Sequence, residues 1–467
     1  MIPASPQFAA ALGIVRRLRE CGYQAFLAGG CVRDMLLERE PKDFDVATSA
    51  EPEIVLDLFP RTFAVGAHFG VVLVSEEVDG QPTITEVATF RSDGAYSDGR
   101  HPDQVRYTES AEEDVQRRDF TINGLLLDPE QAAAQGDFRG AVLDFVGGIA
   151  DLEAGILRAI GSPVRRFEED HLRMLRAVRF AARFGFEIQL DTAAAIRALA
   201  PKIQAVSRER VRDELTRMLT EGQARRAFEL LDETGLLVEV LPEVAELKGV
   251  QQPQQYHPEG DVWTHTLLLL SQLAPGCSMT LAWGALLHDI GKPATFQAPA
   301  TPEDRIRFNG HVEVGVAIGA EICRPLRFSG DETGQILGLI QNHMRFADTP
   351  RMKTSTLKRF FRLDRFEEHL ALHKMDCMAS SGNLDHYHYA RSRYETMPPD
   401  EVRPAPLLTG RELIALGYRP GATFKAMLHA AEEAQLEGLI HTEEEAVTLI
   451  RAQFPPPASS NSEAAKE

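Results

Sequence analysis

The sequence predicts an α+β head followed by an all-α remainder. Short β-rich runs separated by glycine-containing turns fill the first 150 residues. From about Leu152 onward, apolar residues recur at three- and four-residue spacing with few β-branched runs, the pattern of helices. The Pro/Gln/Gly-rich stretch KGVQQPQQYHPEGD (248–261) has turn formers and no apolar period, so a linker and a domain boundary are expected there.

Length and composition bound the possibilities. At about 150 residues per domain, 467 residues suggest roughly three compact units. With 44% hydrophobic and 25% charged residues there is apolar surface for several cores. Fifty Lys and Arg against 69 Asp and Glu leave a net charge of −19, which excludes coating nucleic acid by bulk charge and makes a local basic strip necessary for such a partner. The five cysteines are scattered and never spaced C-x-x-C, so neither a disulfide framework nor a zinc knuckle is expected, and a reducing cytoplasm fits. No run reaches the roughly 18 to 20 apolar residues of a membrane span, and no secretory signal opens the chain, so a soluble, cytoplasmic protein is expected.

In the head, AFLAGG, DFDVATS, FGVVLVSEE, TITEVATF and AVLDFVGG read as strands. AFLAGGCVRDMLL continues from its strand through a Gly29-Gly30 turn into a helix carrying Arg33 and Asp34, and paired glycines at a helix start let backbone N–H groups approach a phosphate. In KDFDVATS, Asp43 and Asp45 alternate on the predicted strand, so both carboxylates face one side and can share divalent ions, for which hard oxygen ligands suit Mg²⁺. Glu86, in TITEVATF, is a candidate third carboxylate; the alternative is an exposed strand residue.

GGCVRD, DFDVATS, EVATFR, DGRHPDQV and RRDFTING, in that order, resemble the head of the class II tRNA nucleotidyltransferase and bacterial poly(A) polymerase family. The resemblance implies a polymerase-β-like nucleotidyltransferase head, with Asp43 and Asp45 as catalytic metal ligands and Gly30 and Arg33 on the incoming triphosphate. It assigns RRDFTING, with Arg117, Arg118, Asp119 and Asn123, to sugar and triphosphate contacts, Arg118 reaching the triphosphate. Where the family form ends in Ala this chain has Gly124, a small-for-small change expected to be harmless.

The run RRFEEDHLRMLRAVRFAARFGF (165–186) reads as helix, with Arg173, Arg176, Arg179 and Arg183 at intervals that share one face. Between Arg158 and Arg183 seven arginines meet Glu168, Glu169 and Asp170, the local basic strip that the acidic total requires. A row of arginines beside a packed surface should meet carboxylates or phosphates. EDHLR resembles the family motif that reads the Watson–Crick edge of the incoming base, which implies Asp170 and Arg173 as base readers and Arg176 and Arg179 as nearby nucleotide or primer contacts. VSRERVRDELTRML (206–219) resembles the next family motif and is expected to buttress the site.

Past the linker, His265, His288-Asp289, His311, His343 and Asp376 each lie in or beside an apolar helical run. Singly, each reads as a core residue. As an ordered set they resemble the HD superfamily of metal-dependent phosphohydrolases. That resemblance implies His265, His288, Asp289 and Asp376 as core ligands, with His311 and His343 available to a second metal, and Mn²⁺, Ni²⁺, Co²⁺ or Fe²⁺ besides Mg²⁺ as suitable ions. PAPLLTGRELIALGYRPGATF (404–424) resembles the helical tail of members carrying this unit.

The expected organisation is a head over 1–150, a helical nucleotide-selecting and RNA-binding neck over 151–250, an HD domain over 251–395, a helical tail over 396–452 and a disordered end over 453–467. The resemblance implies template-independent addition of C, C and A to the tRNA 3′ end from CTP and ATP with Mg²⁺. Poly(A) polymerase, CC-only addition and A-only addition share the head motifs; by the resemblance, RSDGAYSDGRHPDQVRYTE (91–109) corresponds to a flexible loop that CC-only members tend to shorten, and its being intact here implies full CCA or A addition. Readings of other classes are an HD phosphohydrolase with a nucleotide-binding head, and an RNA-binding protein with inactive sites.

Overall fold

The computed structural model describes residues 5–63, 70–93, 105–301 and 304–455. Most of the 91–109 segment, including nearly all of DGRHPDQV, and most of the C-terminal end lie outside the described residues. The chain divides into two compact units. One comprises Met1–Glu246, Leu273–Met279 and Arg324–Arg327; the other comprises Leu247–Gln272, Thr280–Cys323 and Phe328–Glu467.

The first unit is built on a mixed sheet. Its strands are β1 (Ala25–Ala28), β2 (Asp45–Thr48), β3 (Thr62–Phe63), β4 (Val71–Val78), β5 (Gln81–Thr89), β8 (Leu125–Leu127) and β9 (Val142–Asp144), while β6 (Arg91–Asp93) and β7 (Val105–Tyr107) pair separately. The order is β3-β4-β5-β2-β1-β8-β9, and only β2 and β5 run parallel. β8, which no alternating pattern announces, is Leu-Leu-Leu and wholly buried beside β1, as a central strand covered on both faces must be. Beyond the sheet the unit is helical, apart from the two-residue parallel pair β10 (Ile156–Leu157) and β11 (Glu187–Ile188).

The expected continuous helix over 165–186 is two helices, Pro163–Glu169 and Leu172–Phe184. Asp170 leaves helical geometry at φ −149° and ψ 107°, and its side chain accepts from the Leu172 N–H at 3.0 Å, an alternative to the helical bond that short carboxylates offer. The second helix buries Leu172, Leu175, Val178 and Phe180. Each such burial is worth about 1.5 to 3 kcal/mol; Arg179 is buried with them, and the Arg176 and Arg179 guanidiniums lie over the Phe180 ring.

In the second unit, helices Val262–Leu270, Met279–Leu287, His311–Cys323, Gly330–Asn342 and Phe366–Ala379 carry or border the His/Asp positions. A core of Phe346, Phe360, Phe361 and Phe366 lies beside them. A further cluster of Leu413, Tyr418, Met427 and Ile450 holds the last three helices together. Among the described residues no helix is long and apolar enough to cross a membrane.

Candidate active site and metal centre

Sheet topology gathers the head motifs at one end of β1. The β1–β2 ladder stops at the pair Ala28–Asp45, because the chain turns away at Gly29, whose φ of 71° is a glycine conformation. Asp45 is therefore the first residue of β2 and Asp43 precedes the strand, which corrects the expected alternation of both within it. Parallel pairing of Val46 with Val87 sets Glu86 beside Asp45. On the other side of β1, Gly29 donates to the Leu125 carbonyl at 3.0 Å, and a Cβ on Gly29 would stand 3.1 Å from Arg118 Nη1.

The resulting cleft of about 670 Å³ is lined by the head and neck residues expected to bind metal or nucleotide: Asp43, Asp45 and Glu86; Gly30, Arg33 and Arg118; Asp170, Arg173, Arg176 and Arg179. Burial, with Glu86 and Asp43 close by, pushes the Asp45 carboxyl up to about 7 against the opposing pull of Arg118. Glu86 is an exposed residue of β5, the alternative expected for it, yet partial desolvation at the cleft and Asp43 raise its carboxyl in the same direction. Three carboxylates that disfavour one another's charge, all with hard oxygen donors, fit a divalent cation.

The arginines of the cleft rest on carboxylates, of which Asp114 and Glu221 lie outside the motifs read from the sequence. Arg33 is buried, donating to Asp34 Oδ1 at 2.7 and 2.9 Å and to Asn123 Oδ1 at 2.5 Å, with its guanidinium 4.6 Å from the Phe184 ring centre. Arg117 and Arg118 share buried Asp114 at 2.7 and 3.0 Å. Arg173 meets Glu169 at 2.7 Å, Arg176 meets Asp119 at 2.8 Å, and Arg179 meets Glu214 at 2.6 Å. Arg183 leans on Glu221 at 3.3 Å. Asp170 is held by Arg210 at 2.7 Å, so the helix Arg208–Thr220 buttresses the cleft and also lends it a guanidinium. Of the arginines from Arg173 to Arg183, only Arg173 has its acid at a helical spacing, Glu169 four residues back; the partners of Arg176, Arg179 and Arg183 lie far along the chain.

The six His/Asp residues converge in the second unit. His265 Nε2 lies 3.3 Å from His288 Nε2 and 3.1 Å from Asp376 Oδ1. His311 Nε2 lies 3.4 Å from His343 Nε2. Asp289 stands between the two groups, with Oδ2 3.2 Å from His288 and Oδ1 3.7 Å from His343. Three imidazoles place Nδ1 on a local carbonyl, His288 on Ala285, His311 on Phe308 and His343 on Ile340, which leaves Nε2 facing the centre. Such anchoring is what metal-ligating histidines show, and the donor set suits a divalent transition metal. Against burial, Lys292 and His288 hold Asp289 well below the carboxylate range, whereas burial pulls His343 down to about 4. Lys292 went unnoticed in the sequence, although it follows Asp289 by three residues and pairs with it at 2.6 Å. Gly291 is needed for this convergence, since a Cβ there would lie 2.1 Å from the His311 carbonyl oxygen.

Comparison with known proteins follows the same division. Residues 25–158 match the poly A polymerase head domain, 185–248 the probable RNA- and SrmB-binding site of polymerase A, and 262–369 the HD domain. The CCA-adding enzyme of Geobacillus thermodenitrificans is 44% identical over 241 residues, 52% of this chain and 56% of that protein. That of Lactobacillus helveticus is 37% identical over 268 residues, 56% and 64% respectively. The crystal structure of the Bacillus stearothermophilus CCA-adding enzyme in complex with CTP superposes with a TM-score of 0.69 at 28% identity, covering 96% of this chain and 98% of that one. The chain thus carries a poly A polymerase head domain, a probable polymerase A RNA-binding segment and an HD domain, in that order. In sequence, the matches to these curated relatives take in little more than half of their length. The Thermotoga maritima CCA-adding enzyme complexed with tRNA, at 16% identity and a TM-score of 0.58 over 97% of this chain, shares the fold.

Proposed function

We propose that this protein adds C, C and A to the 3′ end of tRNA from CTP and ATP, with Mg²⁺ held by Asp43 and Asp45. The observation that carries the reading is the meeting, in one cleft, of the three-carboxylate cluster with the arginines and with the Asp170–Arg173 pair. A structural relative that binds CTP supports a nucleotide substrate.

The reaction forms one P–O bond between the primer 3′-hydroxyl and the α-phosphorus and breaks the bond to pyrophosphate. A divalent ion there would lower the pKa of the attacking hydroxyl and neutralise the departing charge. The chain's own groups position. Asp43 and Asp45 offer oxygens on one side, Arg118 is aimed by Asp114, and the Gly29-Gly30 turn allows close approach to phosphate. Asp170 accepts from an exocyclic amine while Arg173 donates to a ring nitrogen or carbonyl, which matches cytosine and adenine and disfavours uracil and guanine. The base is then read by side chains rather than by a template, and a cytoplasmic site of action fits this substrate.

The test uses tRNA transcripts ending before CCA, after the first C and after CC, each with CTP, ATP or both. Growth of the first transcript to CCA followed by arrest is expected. Asp43→Ala should lower incorporation on the order of a thousandfold or more, and full activity in that variant would defeat the assignment. Addition of A alone, of CC alone or of long A tails would assign one of the sister activities. The convergent His/Asp centre favours a second, accessory reading, metal-dependent phosphohydrolysis, which His288→Ala should abolish.

A further inference from the structure

The segment expected to be a linker is part of the His/Asp centre. Asp261 caps the helix Val262–Leu270 through the Thr264 N–H at 2.9 Å and also accepts from the Gly249 N–H at 2.6 Å, while Gln251 bridges back to Asp261. The stretch between is thereby closed into a strap. From it Glu259 Oε1 accepts from His265 Nδ1 and from His257 Nδ1, each at 2.8 Å, with the two rings edge to face at 5.1 Å. From the same strap Gln252 accepts from Lys292 Nζ at 2.7 Å, and Lys292 in turn holds Asp289.

His265 differs from its three companions in needing this carboxylate. They anchor Nδ1 on a carbonyl three residues back. His265 sits within the first turns of its helix, where the Asp261 carbonyl takes the His265 N–H and the Val262 carbonyl takes the Thr266 hydroxyl. A side-chain acceptor from outside the helix is what remains. The Glu259 side chain is only 7% exposed, and its Oε2 has no hydrogen-bond partner among the described residues, so the side chain's hydrogen bonds go to the two imidazoles.

We infer that Glu259 is a positioning residue of this centre, fixing His265 in the tautomer and ring orientation that turn Nε2 toward His288 and Asp376, and so setting the affinity for a divalent ion. The inference rests on the reading of the centre as a metal site. An outer-shell partner of a ligating histidine typically changes metal affinity about 10- to 100-fold.

The experiment is Mn²⁺ titration by calorimetry on the full chain stripped with chelator, for wild type, His288→Ala, Glu259→Ala, Glu259→Gln and Glu259→Asp. Expected are Mn²⁺ binding by wild type that His288→Ala removes, a 10- to 100-fold weakening in Glu259→Ala, a smaller one in Glu259→Asp, and near-retention in Glu259→Gln, whose amide oxygen still accepts. Nucleotide incorporation should be unchanged throughout. A Glu259→Ala protein that melts like wild type and binds Mn²⁺ as tightly overturns the inference, and wild-type affinity in Glu259→Asp does so should the alanine variant not fold. If wild type fails to bind Mn²⁺, or His288→Ala binds equally well, the metal reading falls first and takes this inference with it.

Discussion

Asp119 illustrates how far a single carboxylate can be bound into the cleft. Burial pushes its carboxyl up, but Arg176 at 2.8 Å, the Asn123 amide at 3.0 Å and its neighbour Arg173 together hold it down at about 2. A group depressed in the folded state adds stability that is fully present above its ordinary value near 3.8 and is lost as the pH falls through about 2. Asp119→Asn should therefore cost on the order of 2 kcal/mol at pH 7, less than the roughly 3 to 5 kcal/mol of breaking a fully buried pair, because Arg176 retains partial access to solvent. Urea unfolding at pH 7 and pH 3 checks this. The difference between variant and wild type should shrink at the lower pH, and an equal difference at both would mean that the charge is not what matters. Asp43 and Asp45 were legible because two carboxylates one residue apart are unusual beside a glycine turn. Glu214 and Glu221 were not, since a carboxylate that serves an arginine 35 or more residues away looks like any other surface acid until the fold brings the two together.

At the scale of elements, packing decides what local pattern leaves open. Gly124, expected to be interchangeable with alanine, lies where an added Cβ would meet Val146 at 2.8 Å, Val115 at 3.1 Å and Ile160 at 3.2 Å. Gly124→Ala should then destabilise the first unit by about 1 to 3 kcal/mol through overpacking, read as a lowered melting temperature, and an unchanged one would show that these three methyl-bearing side chains yield freely. The helical pattern over 165–186 was correct in type, but its break at Asp170 was hidden because Glu-Glu-Asp-His disturbs no apolar period. The strap over 249–261 was mistaken for a linker for the converse reason. Prolines, glutamines and glycine describe a chain that makes no regular hydrogen bonds of its own, and such a chain can still be held in place by Asp261 and by the imidazoles it serves. β8 was missed because three consecutive leucines carry no alternation.

For the molecule as a whole, the head cleft and the His/Asp centre each draw all their described groups from one compact unit. Their chemistries should separate under mutation. Asp45→Ala is expected to abolish nucleotide incorporation while leaving Mn²⁺ binding intact, and His288→Ala to do the reverse; loss of both functions in either variant would contradict that division. A net charge of −19 coexists with a cleft rich in arginine because nearly every cleft guanidinium already has its own acid. Ligand entry into such a site is a substitution reaction. A phosphate or base edge must displace Asp114 from Arg118, or Arg210 from Asp170, and a partner offering a single charge only replaces like with like. The cleft should thus be indifferent to inorganic phosphate at concentrations where CTP or ATP, which engage several of these arginines at once, compete successfully for them.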